Sequence, residues 1–166
     1  MEEVKPIGTD STGYEYLKRA VRDLLNQYPG LNGEKIYFEE IGEDSGIAFS
    51  ADAGALVMSE RRSITDHVTQ SCQFPFLVVY RTGATREFQK FNVSAFLDTL
   101  GKWICKEPVE INDVVHRLAA YPKISDGRKI TRITRNNSYG ATPNENQTQD
   151  WILPVSVQYT YEFDIL

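Results

Sequence analysis

Asp113 and His116 are the two residues whose types and spacing could support acid–base chemistry. They lie in the segment 111–120, whose apolar residues recur at helical spacing, so we expect a third, weaker helix on which the two side chains meet. A carboxylate that orients an imidazole is part of general-base machinery. Because no nucleophile accompanies them in the pattern, we favour a surface pair on an amphipathic helix. A small enzyme that uses this pair together with Cys105 is the alternative.

The cysteines and histidines offer little further chemistry. Cys72 and Cys105 lie far apart in the sequence and no Cys-x-x-Cys pair occurs, so we expect two reduced, packed thiols. His67 and His116 lack metal-ligand spacing to a cysteine or to each other. Glycine-rich phosphate loops and a Gly-x-Ser-x-Gly nucleophile motif are absent from the sequence. We therefore predict no catalytic residue, no metal and no cofactor.

Four basic residues cluster in one predicted strand, residues 128–136: Arg128, Lys129, Arg132 and Arg135. In a regular strand the first and third of them face one way, and the second and fourth face the other way. Such a strand is either a solvated surface balanced by neighbouring acids, or a contact surface for DNA phosphates or an acidic partner. The formal charge of the chain, 18 − 23 = −5, does not favour tight DNA binding.

The segment 137–150 is polar throughout, with Ala141 as its largest aliphatic residue, and it cannot pack a core of its own. It joins two predicted strands, so we expect the tip of a long hairpin or an arm. It is either a disordered surface loop or a contact arm that orders in an assembly, with Tyr139, Asn144 and Glu145 as candidate contacts. A binding module with a ligand beneath this arm is a further hypothesis, and it requires a deep apolar pocket.

Length and composition narrow the class of protein. The chain has 166 residues, of which 41% are hydrophobic and 11% aromatic, so we expect one domain with a real core. No stretch approaches the roughly 18 unbroken apolar residues of a membrane span. The N-terminus lacks a basic segment followed by an apolar one, so no secretory signal is expected.

Two further helices are predicted from apolar spacing. The first begins at a capping box, residues 12–15, and ends before Pro29. The second covers residues 94–106 and is capped by Asn92 or Ser94. Its apolar stripe consists of Phe96, Leu97, Leu100, Trp103 and Ile104.

The remaining patterns predict strands. The longest alternation of apolar and polar residues covers residues 155–165 and indicates a strand with one buried and one wet face. The run 74–80 is apolar on both faces and indicates a central strand, with Pro75 near its start or at a bulge. Residues 42–46 are predicted to form the turn of a hairpin. The other predicted strands cover residues 35–41, 47–50, 55–59, 64–72 and 128–136.

The order of helix, strands, helices and strands predicts an α+β fold. We expect an antiparallel, or mixed, β-sheet with two or three helices packed on one face and a long polar hairpin loop. A single domain, residues 1–166, contains these elements. Residues 1–11 are its loose lead-in and residues 137–150 its polar arm.

In this arrangement the chain resembles small tail-terminator, or minor capsid, proteins of long-tailed bacteriophages. The resemblance rests on the capped N-terminal helix, the strand Phe74–Arg81, the helix Phe96–Ile104 and the alternation Ile152–Phe163. It covers residues 12–166 and is a resemblance of element order and local patterns.

The resemblance implies a structural role rather than an enzymatic one. Such a subunit forms a ring, commonly a hexamer, at the head-proximal end of the tail tube, where it stops tube growth and joins tail to head. Its partners are further copies of itself, the major tail tube protein and the head connector proteins, and DNA passes through the ring without sequence-specific binding. Its place is the tail or neck of the virion, assembled in the host cytoplasm. Another connector or head-completion component is the alternative.

The candidate assembly contacts are then Arg128, Arg132, Arg135, Tyr139, Asn144 and Glu145.

Overall fold

The computed structural model describes residues 14–83, 86–124 and 127–165. It contains two helices there, α1 (Tyr14–Leu25) and α2 (Glu87–Ile104). The strands are β1 (Ile36–Phe38), β2 (Gly46–Ala51), β3 (Leu56–Arg62), β4 (His67–Thr82), β5 (Val109–Ile111), β6 (Val114–His116), β7 (Arg128–Arg135), β8 (Tyr139–Gly140) and β9 (Gln149–Asp164). One sheet has the order β1-β2-β4-β9-β7, with β3 also beside β4 and β8 beside β9. The α+β class and the mostly antiparallel sheet are confirmed.

Helix α1 follows the predicted apolar spacing but ends at its last leucine, before the predicted stop at Pro29. The next residue, Asn26, ties the chain to β1: its Nδ2 donates to Ile36 O and its Oδ1 accepts from Ile36 N, both at 2.9 Å. This pair of hydrogen bonds brings the end of α1 to the sheet. The predicted cap, Thr12, lies outside the described residues. The buried residues of α1 are Leu17, Val21, Leu24 and Leu25.

Helix α2 begins at Glu87, so the predicted start and the predicted caps, Asn92 and Ser94, are wrong. The apolar pattern misses the first turns because Phe88 and Phe91 are exposed there and do not extend the buried stripe. The predicted stripe itself is confirmed, since four of its residues are buried and the fifth, Phe96, packs against the core. The four buried residues are Leu97, Leu100, Trp103 and Ile104.

Two antiparallel strands of 16 residues each, β4 and β9, form the centre of the sheet and pair along their whole length. β4 merges the predicted strands 64–72 and 74–80 into one. β9 contains the predicted alternation up to Asp164 and starts several residues earlier than expected, whereas Ile165, predicted to be buried, lies beyond it and is exposed. Its buried residues alternate with more exposed ones, as predicted, and are Leu153, Val155, Val157 and Tyr159.

Pro75 lies inside β4, so its predicted position near a strand start is wrong. Its carbonyl oxygen accepts a hydrogen bond from the backbone N of Asp52 at 3.1 Å, on the side of β4 where β2 and β3 lie. In a strand the amide nitrogen of a residue faces the same side as its carbonyl. On that side β3 pairs up to Gln73 and β2 pairs from Phe76. Pro75 therefore occupies the gap between two partner strands, where no ladder bond is lost.

β1 and β2 run parallel, so the predicted hairpin between them is wrong. The connecting segment 39–45 contacts β2 and β4. It begins where Glu39 N donates to Phe49 O at 2.8 Å, and further on Arg81 Nη1 donates to Gly42 O at 3.2 Å. Because β1 has only 3 residues, this short segment returns the chain to the start of β2 without the long crossover that longer parallel strands need.

The predicted third helix is wrong, because β5 and β6 form an antiparallel hairpin in its place. Asn112 and Asp113 connect the two strands with φ values of 51° and 65°, in the left-handed region that a two-residue type I′ turn requires. β-Branched residues flank this turn and favour strands, although their spacing imitates a helix. They are Val109, Ile111, Val114 and Val115.

The buried side chains of both helices belong to one hydrophobic cluster with those of β2, β4, β7 and β9. Within this cluster the ring of Tyr28, which follows α1, lies 5.6 Å from the ring of Trp103 in α2. Burial raises the pKa of Tyr28 to about 12, so this phenol stays neutral in the core. Among the described residues, no helix combines the length and apolar character needed to cross a membrane.

Candidate assembly interface

β7 lies at an edge of the sheet, and its outer side faces a groove, the β7 groove. β9 pairs with the inner side of β7, whereas the outer side carries one bridge in the described part of the chain, between Lys129 and Lys123. Backbone groups along a free strand edge can pair with another chain, so this groove is the first candidate interface. Its volume is about 570 Å³, and its lining residues include Lys106, Tyr121, Thr131, Arg132 and Arg135.

A bulge in β7 changes the directions of the basic side chains. The register with β9 shifts between Ile130 and Arg132, and as a result Ile130 and Ile133 are both buried. The predicted facing of the four basic residues, which assumed an uninterrupted strand, is therefore wrong. The residues that share the core face are Arg128 and Arg135, and those on the opposite face are Lys129 and Arg132.

Arg135 is held beneath α2 and supports the fold. The middle of its side chain lies directly against the position where a side chain on Gly101 would begin. Its Nη2 donates to Glu107 at 3.4 Å, and its Nη1 donates to Asn137 at 3.5 Å. The absence of a side chain at Gly101 therefore creates the space in which Arg135 crosses under the helix.

Arg128 also has a structural position, over the ring of its cross-strand neighbour Tyr161. Its guanidinium carbon lies 4.0 Å from the ring centre, within cation–π range. Beside it, burial raises the pKa of Tyr159 to about 12. Arg132 and Lys129, which are exposed, are therefore the basic residues of β7 that are presented to another molecule.

The arm, residues 137–150, folds onto itself and onto the segment between β1 and β2. Asn144 Nδ2 donates to Thr148 Oγ1 at 3.0 Å, and Thr148 is buried. Asn146 Nδ2 donates to Glu43 O at 3.2 Å. The underside of the arm is thus in contact with protein.

The predicted contact residues of the arm lie apart from the β7 groove, and none of the three lines it. Tyr139 is opposite Ile152 on β9 and is half exposed. Glu145 is exposed, whereas the amide of Asn144 is used within the arm. Tyr139 and Glu145 are the two that face solvent.

An acidic surface that the sequence patterns did not reveal lies on the connection between β1 and β2, which contacts Arg81 of β4 and Asn146 of the arm. We call residues 39–45 the acidic return segment. Its exposed acids are Glu39, Glu40, Glu43 and Asp44. The sequence patterns assign these residues in part to a strand and in part to a hairpin turn, so a connection between parallel strands is not expected there. The exposed acids therefore lie between β1 and β2, whereas Lys129 and Arg132 lie on β7 at the other end of the sheet order.

β3 is a further free edge, exposed along its whole length. Within the described residues it pairs with β4 alone. Its apolar half contains Val57 and Met58, which are 56% and 63% exposed, and Ile64 in the following turn is fully exposed. Its charged half consists of Glu60, Arg61 and Arg62.

The candidate acid–base residues are not brought together by a helix. Asp113 occupies the β5–β6 turn, and His116 is opposite Val109 at the far end of that hairpin. Cys105 is half-buried and lines the β7 groove, while Cys72 is buried, and both are free thiols. Burial raises the pKa of each. In the part of the chain that the structure describes, no group of three His, Cys, Asp or Glu residues is placed to hold a metal ion.

No protein-family model and no curated protein sequence matches the chain. The surfaces that bear on function are two free sheet edges, β3 and β7, and the acidic return segment between β1 and β2.

Proposed function

We propose that this chain is a structural assembly subunit of the tail-terminator kind, not an enzyme. In this role it forms a ring at the head-proximal end of a phage tail, ends polymerisation of the tail tube and joins the tail to the head. The observation that carries the proposal is the apolar free edge of β3.

An apolar free edge is a hazard for a monomer, because its unpaired backbone groups are a template for another chain. Natural proteins protect such edges with charged residues or cover them. The half of β3 that contains Arg61 and Arg62 is protected by its charges. The half that contains Val57 and Met58 has no such charges, and its exposed apolar surface favours coverage by a neighbouring molecule.

A ring needs two different patches on each subunit, because its interface joins the front of one copy to the back of the next. β1 and β7 are the opposite ends of the sheet order and offer two such patches, whereas the edge of β3 is left for the tube protein or the head connector. In the proposal both helices cover one sheet face, and the arm with Tyr139 and Glu145 contacts the tube protein or the head connector. An acidic lumen would repel DNA and let it pass without sequence-specific contacts.

The test is removal of this chain from the phage that encodes it, followed by electron microscopy of the tails. The proposal predicts tail tubes of uncontrolled length that are not joined to heads. Tails of normal length without heads would instead indicate another connector component. Normal particles would contradict any structural role at the neck.

A matched pair of variants tests the contribution of β3. Val57→Lys places a charge on the apolar edge and should abolish joined particles, whereas Val115→Lys makes the same change at an exposed strand residue of the β5–β6 hairpin and should be tolerated. Val57 and Val115 are 56% and 67% exposed, so neither change should unfold the chain, which circular dichroism would verify. Normal assembly by Val57→Lys would refute the role of this edge.

A further inference from the structure

We infer that the acidic return segment of one copy docks in the β7 groove of a second copy, so that copies associate head to tail. This inference rests on the proposed function and deepens it, because it names the two surfaces that meet. It pairs the β7 groove with the acidic return segment, two surfaces that no sequence pattern relates to each other.

The distribution of charge decides the direction of association. The groove is lined by Lys106 and Arg132, with Lys129 exposed beside it on β7, and the connection from β1 to β2 presents Glu40, Glu43 and Asp44. A two-fold pairing of groove with groove would bring like charges together, which costs several kcal/mol in close contact. A head-to-tail pairing instead places the acids of each copy against the bases of the next. The same geometry continues from copy to copy, as a ring requires.

The groove also has the shape for an extended chain. Along the outer side of β7 the bridge to Lys123 is at Lys129, and the stretch 131–135 continues beyond it as groove wall. On the facing wall Lys106 lies with its Nζ 4.4 Å from the centre of the Tyr121 ring. An extended acidic segment laid between these walls meets basic side chains together with backbone groups of β7 other than the Ile133 amide, which donates to the Tyr121 hydroxyl.

DNA phosphates are the competing occupant of this basic groove. Phosphates satisfy the charges of Arg132 and Lys129, but a nucleic-acid backbone has no amide and carbonyl ladder to pair with the edge of β7. Glu107 also lines the groove but is paired with Arg135 at 3.4 Å, so it does not distinguish between phosphates and carboxylates. A peptide segment with a few carboxylates therefore fits the surface better.

Sedimentation equilibrium of the full chain tests the inference with two charge-reversal variants. Lys129→Glu/Arg132→Glu reverses the exposed charges of β7, and Glu40→Lys/Glu43→Lys/Asp44→Lys changes the charge of the return segment from −4 to −4 + 6 = +2. We expect wild-type self-association that weakens with salt, and a loss of about a hundredfold or more in association constant for each variant alone. An equimolar mixture of the two variants should associate again, because each groove then meets a return segment of opposite charge.

A matched control carries the same charge change at two basic residues that line neither surface, Lys90→Glu/Arg117→Glu, and should associate like the wild type. Variants that self-associate normally, or a mixture that stays dissociated, would overturn the inference. A wild-type chain that remains monomeric at every concentration would also overturn the inference. If that monomer binds a double-stranded DNA oligonucleotide and loses this binding in Lys129→Glu/Arg132→Glu, the occupant of the groove is DNA.

The outcomes separate this inference from the proposed function. If tails lose length control without the chain but the charge variants associate normally, the interface is wrong and the proposed function stands. If removal of the chain leaves normal particles but the mixed variants reassociate, the interface stands and the proposed function is wrong.

Discussion

Arg81 and Asp150 form a bidentate ion pair between β4 and β9, with Arg81 Nε 2.7 Å from Asp150 Oδ1 and Nη2 3.0 Å from Oδ2. The two residues are direct cross-strand neighbours, and their side chains are 23% and 20% exposed. Arg81 also donates to Gly42 O, so one guanidinium joins the base of the arm to the acidic return segment. This pair positions both segments that the proposed assembly uses.

Asp150→Asn should lower the free energy of unfolding by about 1–3 kcal/mol at neutral pH, because Arg81 loses a charged hydrogen-bond partner in a mostly buried site. The hydrogen bonds from Arg81 lower the pKa of Asp150 in the folded state. Its contribution is therefore fully present above the unfolded pKa of about 3.9 and is lost as the pH falls through the lower folded pKa. Urea unfolding at neutral pH and in acid should show that the difference in free energy of unfolding between wild type and variant becomes smaller in acid.

The exposed pair of Glu15 and Arg19 on α1 supplies the control. Its atoms approach to 2.7 Å, but the side chains are more than half exposed. Glu15→Gln should cost less than about 0.5 kcal/mol. An equal loss from both variants would contradict a special role for the cross-strand pair.

Gly101→Ala should destabilise the chain by up to about 2 kcal/mol, although alanine favours helices by about 1 kcal/mol over glycine. The added methyl group meets the side chain of Arg135, which must leave the space under α2 and its contact with Glu107. Thermal unfolding of Gly101→Ala, Arg135→Ala and the double variant measures the coupling. The double variant should be at least as stable as Arg135→Ala alone, and an additive loss would refute the steric explanation.

Cys105 reports on occupancy of the β7 groove, which it lines. Burial raises its pKa, so little thiolate forms at neutral pH and alkylation by iodoacetamide should be slower than for free cysteine. Self-association should slow the reaction further as protein concentration rises. Mass spectrometry should show that Lys129→Glu/Arg132→Glu removes this concentration dependence, and a dependence that persists would speak against docking in the groove.

The strongest periodicities predicted the corresponding elements, because each reflects one buried face. The alternation is the core face of β9 from Val155 to Tyr159, although the predicted last residue, Ile165, is exposed, and the stripe from Phe96 to Ile104 is the buried face of α2. A period of this kind does not depend on details elsewhere in the chain. The start of α2 was missed because Phe88 and Phe91 lie on the exposed side of its first turns.

The errors arose where a local backbone feature changes the period. The bulge near Thr131 reverses the facing of the residues that follow it, so the basic strand was found and its directions were not. Asn112 and Asp113 adopt left-handed conformations that turn a helix-like spacing into a hairpin. The acidic return segment, residues 39–45, depends on β1 and β2 running parallel, which no local pattern indicates.

Replacement of Asp113 by glycine distinguishes the hairpin from the predicted helix by the sign of its effect. Asp113 has a φ of 65° in the β5–β6 turn, where glycine carries no steric cost and the Asn-Gly pair suits a type I′ turn. The variant should therefore be more stable than the wild type by a few tenths to about 1 kcal/mol. In a helix the same change would cost about 0.5 kcal/mol. Urea unfolding measures the sign, and Glu110→Gly, within β5, should be destabilising as a control for loss of backbone entropy.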